Sequence, residues 1–191
     1  MRLVILLSGS GTIFEAIVKA IEEKRLDASI IAVISDNPNA YGLIRAHEHH
    51  LTTTVINPKQ YADKNDFQTA LKEYLITLNP DLIVLSGFMR ILSTDIVRAF
   101  PRRIINIHPA LLPKYPGLHT HERVLQAGDQ EHGTTVHFVD EGLDTGPIIA
   151  QKKLRVLPDD TPASLQQRVK ALEQELYPEV LQQLSIGGSY K

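Results

Sequence analysis

MRLVILLSGSGTIFEA, residues 1–16, runs from a short apolar stretch through two glycines into what reads as the mouth of a helix. Residues 3–7 are an unbroken run of Leu, Val and Ile, the pattern of a strand covered on both faces. Gly9 and Gly11 let the backbone turn tightly and approach a ligand closely. A helix that starts there offers unpaired N–H groups and roughly half a positive charge. Strand, glycine turn and helix together form an anion site. A dinucleotide turn wants a third glycine where this chain has Phe14, although Asp36, at the end of the second apolar run, could act as the ribose-binding acid. A Walker A loop wants Gly-Lys-Ser/Thr, whereas Gly11 is followed by Thr12 and Ile13, which excludes it. A small phosphorylated substrate on the amides of residues 9–13 remains, beside the simpler reading of a tight βα turn with no ligand.

The same alternation continues along the chain. SIIAVIS (29–35), LIVLS (82–86) and RIINIH (103–108) are further short apolar runs. Between the second and third of the four, residues 64–78 put Phe67, Leu71, Tyr74, Leu75 and Leu78 on one helical face, and Asn79-Pro80 ends it. This predicts an α/β protein with a Rossmann-like, doubly wound and mostly parallel sheet. In the last third GTTVHFVD (133–140) alternates and PIIAQKKLRVL (147–157) follows a Gly/Asp loop, predicting an antiparallel edge. A final helix begins with Thr161 as N-cap and Pro162 in the first turn. Leu165, Val169, Leu172, Leu176 and Val180 continue its apolar stripe, Pro178 is expected to kink it, and the tail GGSYK to fray.

Composition narrows the function classes. With 191 residues, 43% hydrophobic and 22% charged, one compact domain is expected. A net charge of −2 supplies no basic field for nucleic acid or anionic lipid, so an anionic ligand must be held by local devices. The absence of cysteine excludes disulfides, thiol catalysis and cysteine-ligated metal, and fits a reducing cytoplasm. No run approaches the roughly 18 apolar residues of a membrane span. HEHH (47–50) places His47 and His50 three apart on an expected helix, but no third ligand accompanies them, so no metal site is predicted.

The densest polar stretch is RIINIHPALLPKYPGLHTHE, 103–122. Asn106 and His108 are two apart on an expected strand, so their side chains share a face at the end where open parallel sheets bind ligands. Asp144 lies in a glycine-flanked loop, and beside His108 it is expected to raise the imidazole pKa and fix its tautomer. An amide donor, an imidazolium and a carboxylate suit acyl transfer, two stabilising an oxyanion and the third organising proton removal. His119 and His121 are expected to shape the loop or touch substrate.

SGSG, GFMRIL (87–92), NIHPALLPKYPGLHTH (106–121) and HGTTVHFVDEGLDTGPII (132–149) occur in an order that resembles the folate-dependent phosphoribosylglycinamide formyltransferases of purine synthesis, over nearly the whole chain. The resemblance implies one formyltransferase domain, 1–191, with a phosphate-binding half (1–100) and a catalytic, folate-binding half (101–191). It implies 10-formyltetrahydrofolate as formyl donor, glycinamide ribonucleotide as acceptor, no metal, a cytoplasmic setting, no nucleic-acid or membrane partner, and a monomer or weak homodimer. Asn106, His108 and Asp144 match the catalytic trio. Gly9, Ser10, Gly11, Thr12 and Ile13 would seat the substrate phosphate, with Pro109 shaping the neighbouring loop, Glu173 on the ribose hydroxyls and Lys170 one turn earlier. The folate pocket would involve Met89, Arg90, Ile91, Leu92, Val97, Val139, Asp140, Glu141 and Leu143. The family turn usually ends Ser-Asn-Leu; here Thr12, Ile13 and Phe14 stand there. Ile13 has no side-chain donor, and an uncompensated hydrogen bond lost to a phosphate corresponds to about 1.5–3 kcal/mol. A hydrolase with the same trio, like formyltetrahydrofolate deformylase, carries an extra N-terminal domain, for which a first strand at residue 2 or 3 is expected to leave no room.

Overall fold

The computed structural model describes residues 1–187. Of the expected frayed tail, residues 188–191 lie outside the described residues. The elements run β1 (Arg2–Leu7), α1 (Thr12–Glu22), β2 (Ser29–Ser35), α2 (Tyr41–Glu48), β3 (Thr53–Val55), a 3-10 turn (Pro58–Gln60), α3 (Lys64–Leu78), β4 (Leu82–Leu85), α4 (Thr94–Ala99), β5 (Ile104–His108), α5 (Thr120–Ala127), β6 (Glu131–Phe138), β7 (Ile148–Arg155) and α6 (Pro162–Gly187).

One seven-stranded sheet has the order β3-β2-β1-β4-β5-β6-β7. The first five strands are parallel, while β6 and β7 are each antiparallel to the strand before. This is the expected doubly wound sheet with an antiparallel edge. Its order reverses between β1 and β4, and the crevice at such a switch point is where open α/β sheets bind ligands.

The continuous apolar runs have a direct cause. Leu3, Ile5 and Leu7 of β1 pack in one core with Phe14 and Ile17 of α1 and Tyr177, Val180 and Leu181 of α6. Val4 and Leu6 face the opposite core, built on Phe67, Leu71 and Leu75 of α3 with Ile96 and Phe100. Both faces of the strand are buried, so no polar alternation is allowed. Asp63 caps α3 through its carboxylate, which accepts from the N–H groups of Asn65 and Asp66 at 2.7 and 2.9 Å. Thr161 Oγ1 accepts from Ser164 N–H at 3.2 Å, the cap expected for α6. Pro178 is buried within α6, whose helical assignment continues through it. One local expectation fails: α2 ends at Glu48, so His47 and His50 do not share a helix, and His50 adopts a φ of 56°.

Candidate active site

The glycine turn closes β1 onto α1 as expected. Gly11 is the N-cap at φ 70°, and no side chain caps the helix. A Cβ at Gly11 would lie 2.7 Å from the Cα of Gly42 in α2, so the turn packs backbone against backbone. The close approach that a dinucleotide fold takes from a third glycine in its own turn is supplied here by Gly42. Phe14 points into the core. Ile13 packs against the same core, which shows where its side chain goes.

At the carboxyl end of β5, Asn106, His108 and Asp144 do come together, and His137 joins them. Antiparallel pairing sets Asn106 opposite His137 on β6. Asn106 Nδ2 lies 3.3 Å from His137 Nε2, and His137 Nδ1 lies 2.9 Å from the carbonyl of Phe138. A carbonyl only accepts, so Nδ1 of His137 carries a hydrogen, while Nε2 faces both the Asn106 amide and Asp144. Asp144, at φ 55°, has Oδ2 3.3 Å from His108 Nδ1 and Oδ1 3.6 Å from His137 Nε2. The same Oδ2 accepts from Gly117 N–H at 2.8 Å. Nothing in the sequence marked His137 beyond the alternation of β6, which gives a strand residue but not its partner across the ladder.

The direction of the His108 shift differs from expectation. Burial pushes its imidazole below the ordinary value, outweighing the Tyr115 carbonyl and the Asp144 carboxylate, which pull upward. A ring only 6% exposed is charged at greater cost than one nearby carboxylate returns. Nε2 lies 2.8 Å from the Tyr115 carbonyl and therefore carries the hydrogen. Nδ1 faces the Asp144 carboxylate, an acceptor, so a proton on that side of the ring is shared within the His108–Asp144 pair. Burial pulls the Asp144 carboxyl upward, but the His137 ring, the Gly117 N–H and the neighbouring His108 imidazole outweigh it and hold it below the usual carboxylate range.

The remaining expected residues divide into exposed and engaged groups. Met89, Ile91 and Leu143 are exposed apolar side chains, at 67, 63 and 50%, on the loops after β4 and β6. Leu92 is buried in the core beneath them, and Val97 and Val139 pack against that core. Arg90 Nε is 2.8 Å from Oδ2 of buried Asp36, the residue considered as a ribose acid. Glu141 pairs with Arg98 at 2.8 Å, and Asp140 accepts from Gly142 N–H and Thr145 Oγ1. Ser8 links the glycine turn to the loop after β4: its N–H donates to Gly87 O at 3.1 Å and its Oγ accepts from Met89 N–H at 2.8 Å. Pro109 leads into the loop that carries Tyr115 and a cis Leu112-Pro113 bond. Glu173 is buried against β6, and burial pushes its carboxyl up to about 7, with Lys170 and Thr134 opposing. His119 begins α5 at φ 59°, and His121 Nδ1 lies 3.0 Å from His132 Nε2. Among the described residues, no group of three His, Asp or Glu side chains could hold a metal ion, and no helix is long and apolar enough to cross a membrane.

Fold and site together define a Rossmann-like α/β protein with an amide, an imidazole and a carboxylate converging at the ligand edge of its sheet. The formyl transferase family model matches residues 1–181, and the chain belongs to that family. It is 40% identical to the phosphoribosylglycinamide formyltransferase of Haemophilus influenzae, over 97% of this chain and 88% of that one. Among solved structures, glycinamide ribonucleotide transformylase 1 from Symbiobacterium toebii superposes with a TM-score of 0.95 at 41% identity, covering 98% of this chain and 88% of the other. Phosphoribosylglycinamide formyltransferase from Coxiella burnetii gives 0.93 at 47%, with the same coverage.

Proposed function

We propose that this chain transfers the formyl group of 10-formyltetrahydrofolate to the amine of glycinamide ribonucleotide. The convergence of Asn106, His108 and Asp144 at the sheet edge carries the reading. The amine attacks the formyl carbon, and the new C–N bond pushes the carbonyl electron pair onto oxygen. Asn106 and His108 hold that oxyanion, which replaces the Tyr115 carbonyl as acceptor for His108 Nε2–H. The amine's proton passes to the His108–Asp144 pair at Nδ1, so the imidazolium forms as the oxyanion does. Cleavage of the C–N10 bond then takes a proton from the site to the folate nitrogen, and the protons balance.

In this reading residues 9–13 seat the phosphate, Pro109 shapes the substrate loop, and Glu173 holds the ribose hydroxyls with Lys170 one turn before it. The folate ring sits between the 89–92 loop and residues 139–144, over Met89, Ile91 and Leu143, with Leu92 and Val97 as the floor. Arg90, Asp140 and Glu141 contribute through the backbone, since their side chains are already bonded. Residues 1–191 act as one formyltransferase domain, in the cytoplasm, as a monomer or weak homodimer, without nucleic acid. The phosphate-binding and catalytic halves divide near residue 100.

The test mixes purified protein, donor and glycinamide ribonucleotide and follows the absorbance of the folate product. Amine-dependent transfer is expected. Formate release without amine would instead identify a hydrolase, and binding of both ligands without turnover would identify a non-catalytic folate- and phosphate-binding module.

A further inference from the structure

We infer that Arg45, on α2, is a positioning residue that aims the phosphate turn and sets this chain's preference for a phosphorylated acceptor. The inference rests on the phosphate reading of residues 9–13. Both carbonyls in the turn are drawn into α2: Gly42 N–H donates to Gly9 O at 3.0 Å, and Arg45 Nε donates to Ser10 O at 3.0 Å. In a planar trans peptide the C=O and the following N–H point in opposite directions. Fixing the Gly9 and Ser10 carbonyls against α2 therefore turns the Ser10 and Gly11 N–H groups away from it. Left unpaired, the Ser10 carbonyl could rotate its partial negative charge toward the bound anion. Ile13 itself offers no side-chain donor and packs against the core.

Arg45 has a second task. Glu15 stands in the first turn of α1, where a carboxylate suits the helix dipole but opposes a bound phosphate. Arg45 Nη1 lies 3.4 Å from Glu15 Oε2, and His49 Nε2 lies 3.0 Å from Oε1, with His49 Nδ1 3.0 Å from Glu22. The guanidinium stacks 5.1 Å from the Tyr41 ring, which limits its travel. One side chain thus holds the turn's carbonyl and offsets the nearest negative charge. A planar fork does both at once, and an ammonium does not.

The experiment compares kcat/KM for glycinamide ribonucleotide with that for its riboside, which lacks the phosphate, in wild type, Arg45→Ala and Arg45→Lys. In wild type the ribonucleotide is preferred by a hundredfold or more. Arg45→Ala lowers that preference at least tenfold through the ribonucleotide KM, with kcat and the donor KM within about twofold of wild type. Arg45→Lys recovers part of it by restoring the charge. An unchanged preference in Arg45→Ala overturns the role of Arg45, as does a loss that falls equally on the donor KM, which marks a general packing defect. A wild type indifferent to the phosphate overturns the phosphate reading itself, and the inference with it.

Discussion

The glycine turn and the β5–β6 cluster handle charge by opposite means. The turn uses peptide groups, fixed by α2 and unable to titrate. The cluster uses three ring or carboxylate side chains and an amide, linked by contacts of 3.3 to 3.6 Å, and its surroundings shift the pKa values of His108 and Asp144. Backbone charge suits a group that stays an anion throughout, such as a phosphate. Titrating side chains suit a centre where charge appears and a proton must move. The first is robust to pH and to most substitutions, while the second is sensitive to both.

The sharpest way to break this contrast is to remove a side chain from the cluster. Asn106→Ala or His108→Ala is expected to lower kcat by about a hundredfold or more, as for a lost oxyanion donor, measured by the folate product absorbance. Near-normal turnover in both variants would remove the cluster from the chemistry.

The next largest effect is on stability, and it carries two signs. Burial, with His121 and His108 nearby, pushes His132 down to about 4 from an ordinary 6.5. The unfolded chain therefore takes up the proton first, and this contribution is full above pH 6.5 and lost as pH falls toward 4. Burial pushes Glu173 the other way, to about 7, so its contribution is full below the ordinary 4.5 and lost as pH rises through 7. Each amounts to about 2 kcal/mol between pH 5 and 7, in opposite directions. The two contributions are of similar size and opposite sign. In urea denaturation, going from pH 5 to 7, His132→Leu should lose stability relative to wild type and Glu173→Gln should gain it.

How much of this contrast was legible in the sequence follows from the same division. The turn is local, so Gly9, Gly11 and the flanking strand and helix announced it within a dozen residues. Its partner Gly42 was invisible, because nothing in the spacing says which helix packs behind a turn. Asn106 and His108 were legible as a pair on one strand face. Their meeting with Asp144 came from the resemblance, and His137 required the antiparallel register of β6 on β5. The expected rise in the His108 pKa failed because a sequence shows the neighbouring carboxylate but not the depth of burial, which outweighs it.

Two smaller effects sharpen the comparison. His137→Gln should lower kcat roughly tenfold with little change in either KM, since it disturbs the hold on Asn106 and leaves both binding loops in place. Ile13→Asn should lower the ribonucleotide KM by less than about tenfold, because a side-chain donor adds to a seat whose amides are already aimed. An Ile13→Asn variant with unchanged KM would mean that the backbone alone saturates the phosphate.

Tyr177 splices the two halves of this division. Its buried hydroxyl, on α6, lies 3.0 Å from the carbonyl of Leu85 and 3.1 Å from that of Ile105. These carbonyls belong to β4, which leads into the loop of Met89 and Ile91, and to β5, which carries Asn106. One proton shared between them works as a rivet, set from the opposite face of the sheet by a helix some seventy to ninety residues further along the chain. The gauge between the strand before the proposed donor loop and the strand of the proposed catalytic residues is thus fixed by a fully buried part, and wear at that rivet would be read as poor alignment rather than as lost chemistry.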